Sequence, residues 1–163
     1  MRASHFSPDI QEFLRLLSTH GVRYVIVGGE AVIYYGYARL TGDVDFFYEA
    51  TPENAARLYD VLNDFWGEEI PGVSSSGELL SKGTILQFGV PPNRIDLINS
   101  IDAVSFKEAW NSRVKEEIET KEGGYQVHYI GLEELIRNKE EAVRRYKDLE
   151  DLRYLKAALN GKE

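Results

Sequence analysis

The apolar positions along the first half of the chain predict two helices separated by a buried strand. Residues 10–17 and 55–65 both repeat apolar side chains at helical spacing. Each segment follows a helix-start signal, Ser7-Pro8 in the first case and Thr51-Pro52 in the second, in which a hydroxyl side chain caps the helix. Residues 22–27 form a nearly continuous apolar run rich in β-branched side chains. Such a run predicts a buried central strand.

The second half of the chain predicts further strands and ends in helices. The predicted elements are strands over 84–90 and 93–99 on either side of Pro91-Pro92, a helix over 106–113, and a hairpin of strands over 114–120 and 125–130 joined around Gly123-Gly124. From Leu132 onward apolar residues return to helical spacing, with charges between them. This pattern predicts one long helix, or two short helices with a break near residues 145–148.

The order of these elements predicts a fold of the α/β (α+β) class. We expect a mixed β-sheet flanked by helices, followed by a C-terminal helical segment. The chain has 163 residues, which fits one domain. We therefore expect a single domain over residues 1–163, with a core at about residues 6–130 and C-terminal helices at about residues 131–159.

Two aspartates stand at the start of a predicted strand in the first half of the chain. Asp43 and Asp45 share one face of that strand, while Val44 and Phe46 point to the other, because strand side chains alternate. A third aspartate, Asp96, lies in the later strand pattern. If that strand is a neighbour in the sheet, three carboxyl groups face one place.

A cluster of this kind requires a positive charge or a shared proton. Like charges about 4 Å apart repel by roughly 4 kcal/mol per pair at an effective dielectric constant near 20. Oxygen ligands on strands, with no His or Cys nearby, suit Mg²⁺ better than zinc. Asp96 has a second interpretation, because it shares its strand face with Arg94 and could be the partner of a simple ion pair.

Gly28 and Gly29 lie between the central strand and a short helical pattern that ends at Gly36. Glycines allow close approach of the backbone to a ligand, and the free amides of a helix start attract phosphate. A plain tight connection is the alternative, and the aspartates that follow favour the phosphate interpretation. Arg39 and Thr41 precede the first aspartate, and each is either a solvated loop residue or a contact of phosphate or carboxylate.

These residues resemble the pattern of the nucleotidyltransferase fold shared by DNA polymerase β, the aminoglycoside nucleotidyltransferases and the minimal nucleotidyltransferases of bacterial toxin–antitoxin loci. The family pattern is an apolar residue, Gly, then Gly or Ser, a spacer, Asp-x-Asp or Asp-x-Glu, and a later third acid on a strand. Here these positions are Val27-Gly28-Gly29, Asp43-Val44-Asp45 and Asp96. The resemblance extends over roughly residues 6–155.

The resemblance implies transfer of a nucleoside monophosphate from an NTP to a hydroxyl group, with release of pyrophosphate. It implies two Mg²⁺ ions held by Asp43, Asp45 and Asp96, which clamp the attacking and leaving oxygens. Gly28 and Gly29 would hold the β- and γ-phosphates of the NTP. Asp96 would also orient or deprotonate the acceptor hydroxyl.

Three further residues are assigned to the nucleotide or its phosphates by the same resemblance. Arg39 and Thr41 match an Arg-x-Thr-x-Asp-x-Asp element of small subfamilies related to abortive-infection toxins. Lys139 falls on the apolar stripe of the C-terminal helical segment, where a charge must snorkel, pair or serve a ligand. In these families a lysine near this position often reaches the nucleotide. Asp148 and Asp151 are interpreted as caps and ion-pair partners.

The subfamily resemblance points to two-gene toxin–antitoxin systems, so the expected acceptor is a protein or another macromolecule encoded by a neighbouring gene. The net charge of −8 argues against sequence-independent binding of nucleic acid. The absence of cysteine is compatible with a reducing cytoplasm, and no membrane-spanning run or signal peptide is visible. We therefore expect a cytoplasmic protein without a membrane partner.

Two other functions stay open at this point. Gly29 stands where the family commonly has a serine, which favours a nucleotide-binding or protein-binding module that has lost turnover, as an antitoxin or regulator might. Modification of tRNA ends or of drugs is the other alternative. The acidic charge disfavours RNA, and 163 residues leave little room for a domain that binds such an acceptor.

Overall fold

The structure is a computed structural model of the chain. It describes residues 6–37, 41–67, 69–91, 93–121, 123–142 and 146–161, without the side chains of residues 146–148.

Helices and strands follow one another along the described chain in the order that the apolar pattern predicts. The helices are α1 (Pro8–Thr19), α2 (Gly28–Tyr34), α3 (Pro52–Trp66), α4 (Phe106–Asn111), α5 (Leu132–Ala142) and α6 (Tyr146–Gly161), and a 3-10 turn spans Ser76–Leu79. The strands are β1 (Tyr24–Val27), β2 (Asp43–Tyr48), β3 (Ile85–Phe88), β4 (Arg94–Ile98), β5 (Val114–Thr120) and β6 (Gly123–Tyr129). None of the described helices is long and apolar enough to cross a membrane.

The strands form one six-stranded mixed sheet in the order β3-β4-β2-β1-β6-β5. β2 pairs with β1 in antiparallel fashion and with β4 in parallel fashion, so β2 lies at the centre next to both partners that carry motif residues. β1 also runs parallel to β6. The predicted α+β class, with a mixed sheet flanked by helices and a helical C-terminal segment, is confirmed.

Helices cover both faces of the sheet, and each face has its own apolar core. On one face α1 and α3 pack over side chains that include Tyr24, Val44 and Phe46. On the other face α2, α4, α5 and α6 pack over side chains that include Val25 and Phe47. The alternation along β1 and β2 therefore divides neighbouring residues between two cores, which is the pattern of a central strand.

The predicted hairpin turn was placed two residues too late. Gly123 and Gly124 are the first residues of β6 and pair with Thr120 and Glu119 of β5. A Cβ atom on Gly124 would lie 2.6 Å from Glu117 Oε1. Glu117 is exposed and could move aside, but Gly123 has a φ of +113°, which favours glycine, so the glycines serve the start of β6 and did not mark the turn itself.

Asn54 joins the start of α3 to the strands beneath it. Its side-chain carbonyl accepts from the backbone N–H of Arg23 at 2.7 Å, and its amide donates to the carbonyl oxygens of Arg23 at 3.0 Å and Glu49 at 2.8 Å. The side chain is buried, with 1% of its surface exposed. Asn54 therefore binds backbone groups that flank β1 and β2, one of which, the Arg23 carbonyl, also accepts from the Glu49 N–H at 3.2 Å.

We predict that Asn54→Ala lowers the free energy of unfolding by about 1–3 kcal/mol, because it removes the hydrogen bonds that Asn54 makes with the Arg23 N–H and the Glu49 carbonyl. Alanine is well tolerated in helix α3, so the decrease in stability measures only the hydrogen bonds that Asn54 makes with the strands. Urea denaturation measures the change. The control is Asn111→Ala at an exposed position of α4, expected to change stability by less than about 0.5 kcal/mol. Equal effects of the two substitutions would contradict the assigned role.

Candidate active site

The parallel pairing of β2 with β4 brings the three aspartates together. Asp45 lies opposite Asp96 in this ladder, and Asp43 lies opposite Arg94. One carboxylate oxygen from each of Asp43, Asp45 and Asp96 can be chosen so that all three lie within 4.8 Å of one another. The cluster stands where β2 begins and β1 ends, since Asp45 also pairs with Val27. The two parts of the motif, separated by about fifty residues, thus form one acidic site.

Asp45 lies at the junction of β1, β2 and β4, and its carboxyl group is partly buried. Its Oδ1 atom is buried and has no hydrogen-bond partner among the described residues. Burial, and then the charge of Asp43, raise the pKa of Asp45 to about 8. A buried oxygen without a donor is the place where a proton or a metal ion lowers the energy of the site.

Gly28 forms part of the wall around Asp45. Its φ is +65°, a left-handed conformation that L residues with a side chain rarely adopt. A Cβ atom at this position would overlap the Oδ2 atom of Asp45 and lie 3.1 Å from its Cγ atom. The first motif glycine is therefore required by the aspartate itself, a reason that the phosphate interpretation of the sequence did not include.

Arg94 holds two of the three carboxylates. Its Nη2 atom donates to Asp43 Oδ2 at 2.8 Å, and its Nε atom donates to Asp96 Oδ1 at 2.9 Å. The hydrogen bonds with Asp96, and then those with Asp43, raise the pKa of the guanidinium. Sequence analysis set the ion pair of Asp96 against the metal site. The structure shows the ion pair and the carboxylate cluster together.

The surroundings lower the pKa of one carboxyl group of the cluster and raise the pKa of the other two. Burial opposes ionisation of Asp43, but hydrogen bonds with Asp96, Asp45, Arg94 and Thr41 outweigh it and lower its pKa. Burial and the neighbouring Asp43 raise the pKa of Asp96. With Asp45 also raised, the cluster binds protons that a cation would displace.

Thr41 acts on a carboxylate in this structure. Its hydroxyl donates to Asp43 Oδ1 at 3.1 Å and lies 3.2 Å from the backbone oxygen of the same residue. Gln87, which sequence analysis did not single out, faces the cluster from β3, and its amide lies 3.5 Å from Asp96 Oδ2. The signal for Gln87 was a polar residue within an apolar strand pattern, but only the β3–β4 register places it opposite Asp96.

The remaining predicted site residues have separate positions. Lys139 of α5 is buried, and its ammonium lies 3.4 Å from Asp151 Oδ2 of α6, so an ion pair accounts for its place on the apolar stripe. Asp151 is an ion-pair partner, as the sequence predicted. Gly29 lies in the first turn of α2, whose start has no side-chain cap. Arg39 lies outside the described residues, and its assignment stays a prediction.

The donor set fits a hard divalent cation. All ligand atoms are carboxylate oxygens, one of them is buried without a donor, and the three groups carry more negative charge than Arg94 compensates. Mg²⁺ prefers such oxygen ligands. Asp43, Asp45 and Asp96 are therefore the residues that could hold a metal ion in the described part of the chain.

Comparison with known families agrees with this site. A family model described as "Nucleotidyl transferase of unknown function (DUF2204)" matches residues 7–162. Because the match covers nearly the whole sequence, the chain belongs to this family, and the nucleotidyltransferase resemblance is confirmed at that level. No curated protein matches the chain.

We predict that the metal-free protein loses stability as the pH rises, because of Asp45. The carboxyl group has an ordinary pKa of 3.8 and a folded-state pKa of about 8, so the folded protein binds a proton that the unfolded chain has lost. This stabilisation is complete below pH ~4 and disappears as the pH rises through about 8. Urea denaturation in EDTA should show a decline of up to about 1.4 kcal/mol per pH unit between these values.

Asp45→Asn is the matched control for this pH dependence. The amide cannot titrate, so the decline attributed to Asp45 should be absent in the variant, while any contribution from other groups remains. Parallel stability curves for the wild type and Asp45→Asn across the neutral range would contradict the assignment of the raised pKa to Asp45.

Proposed function

We propose that the protein is a Mg²⁺-dependent nucleotidyltransferase that transfers a nucleoside monophosphate from an NTP to a hydroxyl group of a macromolecular acceptor. The observation that carries this proposal is the convergence of Asp43, Asp45 and Asp96, with one buried carboxylate oxygen that has no donor among the described residues. Membership of a nucleotidyl transferase family supports the reaction class. The metal, the nucleotide and the acceptor are part of the proposal.

In this reaction the acceptor oxygen bonds to the α-phosphorus, the bond from that phosphorus to the bridging oxygen breaks, and pyrophosphate leaves. Asp43, Asp45 and Asp96 would hold Mg²⁺, proposed as two ions. Bound metal supplies the positive charge that stabilises the attacking and leaving oxygens. Asp96 is the proposed acceptor of the hydroxyl proton.

The phosphates of the NTP would lie at the start of α2. The start of α2 has no side-chain cap and Gly29 adds no side chain there, while Gly28 brings the helix start against Asp45, next to the proposed metal ions. Thr41 would keep Asp43 in position through its hydrogen bond. Arg39 and Lys139 are proposed as phosphate or nucleotide contacts on the strength of the sequence resemblance.

We predict that Mg²⁺ and an NTP together raise the melting temperature. A ligand present at ~100 times its dissociation constant stabilises the native state by about 2.7 kcal/mol, which corresponds to several degrees for a chain of this size. Thermal denaturation with each NTP, with and without Mg²⁺, measures the shift. Asp43→Ala combined with Asp45→Ala should abolish it, because the metal loses two of its three ligands.

Two single variants sharpen this test. Asp60→Ala removes an exposed carboxylate from α3 and should leave the shift unchanged. Asp96→Asn leaves Arg94 its hydrogen bond with Asp43, so the fold should persist while the Mg²⁺-dependent shift is lost. A stable Asp96→Asn variant that retains the full shift would remove Asp96 from the metal site. No shift with any NTP at millimolar concentration would refute the enzymatic proposal.

The proposed acceptor is a protein or other macromolecule encoded by a neighbouring gene. We expect labelled NTP to leave its label on the product of the adjacent gene when the two purified proteins are incubated with Mg²⁺. The Asp43→Ala and Asp45→Ala double variant is the control for transfer by this chain. Label that appears only on an added small molecule, such as an aminoglycoside, would contradict a macromolecular acceptor.

A nucleotide-binding module without turnover is the second candidate function. Arg94 already neutralises part of the cluster through Asp43 and Asp96, and Gly29 stands where the nucleotidyltransferase pattern commonly has a serine hydroxyl. In that case NTP would raise the melting temperature, but no pyrophosphate would be released with the acceptor present. Measurement of pyrophosphate separates the module from the enzyme.

A further inference from the structure

A second polar pocket opens at the other end of the central strand. It has a volume of about 410 Å³ and lies between the end of α1, the start of β1, helices α3 and α4, and strand β6. We call it the arginine pocket, after the residues Arg23, Arg57 and Arg113 that line it together with Tyr24, Trp110 and His128. Three arginines around one pocket are a local exception in a chain of net charge −8.

The positive charge of this pocket is only partly compensated. Arg23 has one ion-pair partner among the described residues, Glu49, at the long distance of 3.7 Å. Arg57 is exposed on α3 and pairs with no carboxylate in the described chain. Arg113 likewise faces no described carboxylate, and burial, followed by the charge of Arg23, lowers its pKa. An anion would relieve this repulsion.

Arg113 is fixed in place and still has N–H groups to offer. Its guanidinium carbon lies 3.6 Å from the ring centre of Trp110, its Nη1 atom donates to the Trp110 carbonyl at 2.8 Å, and its Nε atom donates to His128 Nδ1 at 3.2 Å. A guanidinium has five N–H donors. The donors that remain have no acceptor among the described residues. This preorganised group suits a phosphate, which accepts paired hydrogen bonds.

The arginine pocket is separate from the acidic cluster. Tyr24 and Arg23 lie at the start of β1, whereas Asp45 pairs with Val27 at its end. Three residues of extended strand span about 10 Å. The acidic residues therefore do not contribute to this pocket, and a ligand held there is not the NTP of the proposed reaction.

We propose that the arginine pocket binds the phosphate of a free nucleotide, without metal, at a second site. The arginines supply the charge that phosphate requires, and the Arg113 guanidinium, one plane of which covers the Trp110 indole, would offer its other plane to the base. The volume lies within the range of about 300–1,000 Å³ that is typical of small-ligand sites, more than a phosphate ion needs.

A single nucleotide fits the charges better than a nucleic-acid strand does. A strand binds through a track of several cations along its backbone, and its affinity rises with the number of phosphates neutralised. Here three arginines surround one pocket, and the remaining charge of the chain is strongly negative. Repulsion outside the pocket opposes a long polyanion but allows one nucleotide inside.

The test uses the tryptophan that lines the pocket as its own reporter. The chain has two tryptophans, Trp66 and Trp110, so Trp66→Phe leaves Trp110 as the single indole. Titration of this variant with AMP and with ATP in EDTA should give a saturable change in Trp110 fluorescence at micromolar to millimolar concentration. Combining Trp66→Phe with Asp43→Ala and Asp45→Ala should leave the change intact, which keeps this result independent of the proposed enzymatic function.

Two arginine variants and one control assign the binding. Arg113→Gln and Arg57→Gln should each weaken the nucleotide about tenfold, equivalent to ~1.4 kcal/mol. Arg57 is exposed and its replacement leaves the packing unchanged, so its effect does not depend on the stability of the Arg113 variant. Arg153→Gln, at an exposed position of α6, should leave the affinity unchanged.

Four results would overturn the proposal. These are no saturable change with either nucleotide, loss of the change when the acidic cluster is removed, equal affinity for inorganic phosphate and AMP, and tighter binding of a single-stranded oligonucleotide than of the free nucleotide. A tenfold preference for AMP over inorganic phosphate, lost in both arginine variants, would support it.

Discussion

The repulsion among three carboxyl groups is the constraint on which the centre of this structure depends. Asp43, Asp45 and Asp96 meet within 4.8 Å, and Arg94 compensates part of their charge from the same sheet face. The remaining charge is met by protons, as the raised pKa values of Asp45 and Asp96 indicate. A site in this state exchanges protons for a cation at little structural cost, because its ligands lie on paired strands.

The sheet holds the carboxyl groups together against this repulsion. The alternating residues of β2, among them Val44 and Phe46, pack on the opposite face under α1 and α3. Burying a large apolar side chain contributes about 1.5–3 kcal/mol, so a few such side chains outweigh the electrostatic cost of the cluster. Asp43 and Asp45 are thus carried by a strand whose other face is core.

The two ends of β1 have opposite electrostatic character. The acidic cluster lies at its C-terminal end, where Asp45 faces Gly28, and the arginine pocket lies at its start. The acidic cluster adjoins helix α2, and the arginine pocket adjoins helices α3 and α4. All three helices pack near β1, which is buried on both faces. Because β1 has only four residues, its length fixes the distance between the acidic cluster and the arginine pocket.

The sequence by itself determined the features that arise from neighbouring residues. The helix starts at Ser7 and Thr51 follow from hydroxyl caps before proline, and both helices are present. The alternation that places Asp43 and Asp45 on one face is likewise local, and the family pattern added the expectation that Asp96 joins them.

Tertiary structure decided which groups balance these charges. Arg94 reaches Asp43 across 51 positions only because β2 and β4 are parallel and in register, and the three arginines of the arginine pocket come from three distant segments. Such contacts depend on strand order and register, which are set by the packing of the whole sheet and leave no periodic signal in any one segment.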